Sequence, residues 1–177
     1  MILKLLQRVC NSLNEANIPY MISGSIALNI YSIPRMTRDI DIVLELTENR
    51  IEEFIILFPD SYFNKETIKV EVLRKGMFNI IDHQTGFKID FIIRKETEYF
   101  KQAFQRRRLI RELDTEIWVI TLEDLIIAKL IWIQQIQSEK QLLDIETLML
   151  NSEKNTDYIR KWCNNLKLKT FNLFDHE

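Results

Sequence analysis

The chain has 177 residues, 46% hydrophobic and 28% charged, enough to bury one sizeable core and little more. Twenty-four Lys and Arg against 26 Asp and Glu leave a net charge of -2, which argues against a polyanion binder that relies on overall charge. Three Gly and three Pro argue against a low-complexity chain, and two His and two Cys leave too few ligands for a zinc site or a His-based triad.

Leu3, Leu6, Val9 and Leu13 recur at helical spacing over residues 2–16, and Asn17 stops the pattern before Pro19. Residues 20–22 read as a short buried strand, and Ser23, Gly24 and Ser25 form a turn into a helix over 26–31 that Pro34 closes. Asp39, Ile40, Asp41, Ile42, Val43 and Leu44 alternate as a second strand. The spacing predicts a helix over 48–58 stopped by Pro59, then a hairpin of 77–81 with 88–93 around Gly86. Further on it predicts a helix over 97–107, a strand over 117–120, and helices over 122–137 and 139–150 started by Thr121 and Ser138. Together these elements predict an α/β (α+β) fold, a mixed sheet flanked by helices with a helical C-terminal part. Residues 1–120 would form the core and 121–177 a helical subdomain packed on it.

Cys10 and Cys163 lie far apart and outside any CxxC pair, which fits a reducing compartment. The apolar start is broken by Lys4, Gln7 and Arg8, and the run over 125–133 is too short to span a bilayer, so a soluble, cytoplasmic protein without a membrane partner is expected.

Asp39 and Asp41 stand two residues apart on one strand, so their carboxylates share a face, and oxygens at that spacing suit hard divalent cations. An acid-x-acid pair proves little alone, since 26 acidic residues in 177 give roughly four such pairs by chance. Asp90 adds weight because it is a single carboxylate among Ile89, Phe91, Ile92 and Ile93, where burial without a partner is costly. If its strand lies beside the first, it becomes a third metal ligand and a candidate general base. An ion pair with Lys88 or Arg94, or an edge strand facing solvent, would explain it equally. Gly24 and Ser25, between a strand and a helix, would let the backbone approach a phosphate.

These residues in this order resemble a known signature. Ile22-Ser23-Gly24-Ser25 followed by Arg35-Met36-Thr37-Arg38-Asp39-Ile40-Asp41 looks like that of the DNA-polymerase-β-type nucleotidyltransferases: Gly-Ser, a helix, then an Asp-x-Asp strand. The wording MTRDIDIVLE is similar to the abortive-infection (AbiEii) toxin type and related stand-alone bacterial proteins. The stretches MFNIIDHQTGFKIDFII and TLEDLIIAKLIWIQQIQSEKQLLDIETLM extend the resemblance over about residues 20–150.

The resemblance implies a nucleotidyltransferase-like fold and transfer of a nucleoside monophosphate from a nucleoside triphosphate (NTP) to a hydroxyl acceptor. Asp39, Asp41 and Asp90 would be the catalytic and metal-binding carboxylates, holding two Mg²⁺ ions, with Mn²⁺ as a substitute. Gly24, Ser25, Lys129 and Asp144 would bind the nucleotide, although a helical lysine can also snorkel to water and a helical aspartate can lie on the wet face. The acceptor could be an RNA 3′ end, a protein or a small molecule, and a cognate antitoxin or toxin could be a partner. Arg106, Arg107, Arg108 and Arg111 form the densest basic cluster, a candidate RNA contact or a solvated helix end. A non-catalytic protein of the same fold that binds a nucleotide or a partner is the alternative.

Overall fold

The computed structural model of the chain describes residues 2–112, 114–136 and 138–174. The first helix, α1 (Ile2–Glu15), buries Leu5, Leu6, Val9, Cys10 and Leu13 along one stripe. It ends where Asn17 turns left-handed at a φ of 51°, a conformation asparagine tolerates better than most residues, and Ile18 N–H donates back to Leu13 O. There follow β1 (Tyr20–Ile22), α2 (Gly24–Tyr31) and β2 (Asp39–Leu44). Next come α3 (Ile51–Ile56), β3 (Ser61–Tyr62), α4 (Lys65–Arg74), β4 (Met77–Asp82) and β5 (Lys88–Ile93). The chain continues with α5 (Glu98–Gln105), β6 (Arg108–Glu112), β7 (Thr115–Val119), α6 (Leu122–Ile133), α7 (Glu139–Met149) and α8 (Thr156–Asn165).

The seven strands form one mixed sheet in the order β3-β4-β5-β2-β1-β7-β6. The β2·β5 and β1·β7 pairs are parallel and the others antiparallel. Alternation along β2 sends Ile40, Ile42 and Leu44 into the core, each fully buried, and leaves Asp39, Asp41 and Val43 on the opposite face. On the core face Phe91 of β5 meets Phe54, Phe58 and Phe78 with ring centroids 5.1–5.5 Å apart, and α1 covers the neighbouring strands. On the other face α5 and α6 stand over the sheet.

The expected mixed sheet, its flanking helices and its helical C-terminal part are all present. Four elements had no counterpart in the patterns. Helix α4 is highly charged and buries only Ile68, Glu71 and Val72, so its helical form is set by its ends: Asn64 accepts from Thr67 N–H, and Lys75 turns left-handed at a φ of 55°. Strands β3 and β6 lie at the sheet edges, and β6 carries no buried residue, so pairing rather than patterning makes it a strand. Helix α8 starts at the Asn155 cap and buries Ile159, Trp162 and Cys163.

Two expected boundaries and one expected cap change. The helix foreseen over 48–58 is a 3₁₀ turn at Glu48–Arg50 followed by α3, broken at Arg50, whose guanidinium reaches the carbonyls of Ala16 and Asn17. Helix α6 stops at Ile133, and residue 137, where the pattern ended it, lies outside the described residues. Thr121 caps α6 by accepting from Asp124 N–H, whereas Ser138 makes no side-chain cap to α7.

Candidate active site

Parallel pairing of β2 with β5 sets Asp39 opposite Lys88 and Asp41 opposite Asp90. Two carboxylates thus stand side by side in the middle of the sheet on one face. Asp90 is only 7% exposed; its Oδ2 receives the Lys88 ammonium at 2.7 Å, and its buried Oδ1 has no hydrogen-bond partner. The ion pair with Lys88 weighed at the sequence level is therefore real, and it satisfies one oxygen of two. Lys88 Nζ also lies 3.9 Å from Asp39, which is exposed at the strand end. Hydrogen bonding to Asp90 raises the Lys88 pKa.

Burial raises the Asp41 carboxyl pKa, and the neighbouring Asp90 and Asp39 charges push the same way. The Ser25 backbone N–H and the Lys129 ammonium oppose that rise. The turn before α2 is shaped around this carboxylate. Ser23 N–H donates to Asp41 O at 2.9 Å, and Gly24 sits at a φ of 57° where a Cβ would overlap the Asp41 carboxylate. Glycine is required here twice, by its backbone angle and by the close approach.

Among the described residues no three His, Cys, Asp or Glu side chains converge into a ready-made metal cluster. The donor set nevertheless fits a hard cation. A buried carboxylate oxygen without a partner, beside a second carboxylate whose charge is disfavoured, leaves negative charge that one lysine does not balance.

Lys129 and Asp144 meet in a buried ion pair of 2.9 Å between α6 and α7, each less than a tenth exposed, so neither is a snorkelling or wet-face residue. Asp144 also accepts from Arg35 Nε at 3.2 Å and Nη2 at 2.9 Å, and the same Nη2 donates to Ser25 Oγ at 3.0 Å. Burial opposes the Asp144 charge, but its bonds from Arg35 and Lys129 outweigh it and hold the carboxyl below its usual range. Ser25, Arg35, Asp144 and Lys129 are thus one connected network at the start of α2. Its cations carry one more charge than its carboxylate.

Arg35 and Gln141 stood in the sequence without an assigned role, and Lys88 only as an alternative ion-pair partner of Asp90. Arg35 is anchored by Asn29, whose amide accepts from Arg35 N–H and donates to Arg35 O, and Pro34 just before it makes the bend visible. Lys88 follows from alternation, two residues before Asp90 on the same face. Gln141 accepts from Lys129 at 2.9 Å, one helical turn before Asp144.

Three of the four arginines of the basic cluster are partnered: Arg106 pairs with Asp124 and Glu123 and lies over the Tyr158 ring, Arg107 is held against Phe104 and Trp118, and Arg111 pairs with Glu116 at the surface, while Arg108 is exposed on β6. No helix among the described residues is long and apolar enough to cross a membrane.

No family model matches the chain, and no curated protein matches it by sequence. Solved structures do share the fold. ANT(2'')-Ia in complex with adenylyl-2''-tobramycin superposes with a TM-score of 0.64 at 12% identity, over 93% of this chain and 95% of its own. The lincosamide antibiotic adenylyltransferase LnuA, lincomycin-bound, gives 0.58 at 13% identity over 84% and 97%. A candidate nucleotidyltransferase from Thermotoga maritima gives 0.54 at 18% identity over 93% of each chain. The fold of this chain is the one these nucleotidyltransferases use.

Proposed function

We propose that the chain transfers a nucleoside monophosphate from a nucleoside triphosphate to a hydroxyl acceptor, with a divalent cation held by Asp39, Asp41 and Asp90. The observation that carries the reading is the in-register pair Asp41 and Asp90, one of whose buried oxygens has no partner. Its neighbours ANT(2'')-Ia and LnuA, whose fold it shares, support adenylyl transfer to small molecules as the class of reaction.

In this reading residues 1–120 are the catalytic core, and residues 121–177 supply Lys129 and Asp144 from helices packed on it. Gly24 gives the β and γ phosphates access to the backbone, while Ser25, Arg35 and Lys129 neutralise the leaving pyrophosphate. Asp144 keeps Arg35 and Lys129 extended toward that subsite. Asp90 Oδ1 accepts the proton of the attacking hydroxyl. Mg²⁺, when bound, polarises the α-phosphate and lowers the pKa of the hydroxyl. Positioning and charge stabilisation then account for catalysis, with no covalent enzyme intermediate.

Thermal unfolding of the wild type and of Asp39→Asn/Asp41→Asn, with each triphosphate and with or without Mg²⁺, tests the reading. A ligand at 100 times its Kd adds about 2.7 kcal/mol, which for a chain of this size raises Tm by roughly 5–10 °C. The shift should require Mg²⁺ and vanish in the variant. If every triphosphate leaves wild-type Tm unmoved at saturating concentration, the proposal fails. If the shift survives the double substitution, the non-catalytic nucleotide-binding alternative takes its place.

A further inference from the structure

A cleft of about 280 Å³ opens on the sheet face that carries the carboxylates. We propose that this cleft receives the acceptor, and that the acceptor is a compact, apolar, neutral or anionic small molecule bearing a hydroxyl, not a polyamine. The inference rests on the nucleotidyl-transfer reading and names its second substrate.

Its position follows from strand register. The cleft floor is Met21, Val43 and Ile92, and Met21 stands opposite Val43 while Val43 stands opposite Ile92. Val43 and Ile92 each lie two residues beyond Asp41 and Asp90, about 6.6 Å along the strands. Because β1 runs antiparallel to β2, the Gly24-Ser25 turn flanks the opposite end of that row, toward Asp39. The phosphate subsite and the cleft are therefore on opposite sides of the carboxylates. Displacement at phosphorus sets the attacking and leaving oxygens roughly in line, so a hydroxyl must arrive from the side of the cleft. The oxygen–α-phosphorus bond then forms as the α–β phosphoanhydride bond breaks, pyrophosphate leaves with the electron pair, and the hydroxyl proton passes to Asp90.

The lining sets the chemistry. Phe100 of α5 and Ile131 and Trp132 of α6 make apolar walls above the floor. The charged residues lining the cleft are Lys75, Arg94 and Lys95, with no carboxylate among them. Glu96 and Glu45, outside the lining, offset part of this charge through Arg94, and Glu96 also lies 3.8 Å from Lys75. Lys95 lies over the Phe100 ring at the mouth. An apolar body fills such a cleft and a single anion satisfies its rim, whereas the ammonium groups of a polyamine such as tobramycin would meet like charges.

Hydroxynaphthoic acid, fluorescent, apolar, anionic and hydroxylated, is the probe. The full chain should bind it saturably, and tobramycin should not compete. Ala128→Trp, which fills the cleft from α6, should weaken binding by about tenfold or more while keeping the triphosphate shift. Lys75→Glu/Lys95→Glu, at the rim, should weaken it several-fold, and circular dichroism checks that both variants fold. A triphosphate labelled on its α-phosphate should pass label to the probe. Absence of saturable binding, equal binding by both variants, or displacement of the probe by triphosphate alone would overturn the assignment, the last marking the cleft as a nucleoside site. A triphosphate shift without probe binding sinks the cleft assignment only. Probe binding by a chain with no triphosphate shift sinks the transfer reading, and the acceptor role with it.

Discussion

Gly24 is the residue whose replacement should be felt most sharply, because its backbone angle and its contact with Asp41 both exclude a side chain. Gly24→Ala adds about 1–2 kcal/mol of left-handed strain and displaces the Asp41 carboxylate. A Tm several degrees lower, together with loss of the Mg²⁺-triphosphate shift, is the expected result. Lys88 acts in the opposite direction. Its ammonium stands on Asp90 and near Asp39, so it competes with any cation those carboxylates bind. Lys88→Gln should tighten Mn²⁺ binding, read by electron paramagnetic resonance, by roughly fivefold, a modest figure because the lysine is partly solvent-screened. Weaker Mn²⁺ binding in that variant would mean that Lys88 organises the carboxylates instead of competing for them.

At the scale of elements, α2, α6 and α7 are joined by polar contacts that meet at Asp144. Removing its charge would leave Lys129 and Arg35 without their shared partner in a largely buried setting. Asp144→Asn should destabilise the fold by about 3 kcal/mol, lowering Tm by roughly 6–12 °C. The effect has a definite pH sign. The folded-state pKa of Asp144 lies below its ordinary value of 3.8, so its contribution is full above that value. It is lost as pH falls through 3.8 and then through the lower folded value. The gap in Tm between wild type and Asp144→Asn should therefore narrow as pH is taken from 6 to 3, and a constant gap would count against the charge network. A second polar joint ties α8 into the fold. The fully buried Asp124 of α6 accepts from Arg106, Thr121 and Tyr158, so a helix with only three buried residues is held by charge as well as by packing.

At the scale of the whole molecule, the candidate site is a product of sheet order. Strands β2 and β5 are about fifty residues apart in the chain yet adjacent in the sheet, and that parallel pairing turns two separate carboxylates into a pair. The same pairing places Val43 beside Ile92 and so lays the floor of the cleft. The proposed phosphate subsite, the carboxylates and the cleft then follow one another along a single sheet face. The opposite face carries the Phe54, Phe58, Phe78 and Phe91 core and is covered by α1.

What could be read from the sequence alone was what depends on neighbours along the chain. Alternation in 39–44 and 88–93 put Asp39, Asp41 and Asp90 on strand faces, the Gly24-Ser25 turn marked a strand-to-helix junction, and the helical stripe of α1 emerged from its period. Strands β3 and β6, which take their form from edge pairing, escaped it, and so did α4, which buries too few residues to show an apolar stripe. The Lys88–Asp90 ion pair was legible only as one alternative among several, and the other contacts that close the site were not legible. Arg35 bridging Ser25 to Asp144, Gln141 on Lys129 and the apolar cleft past Val43 all require strand register and helix placement. Those are fixed by burial and pairing between distant segments, which local periodicity does not encode.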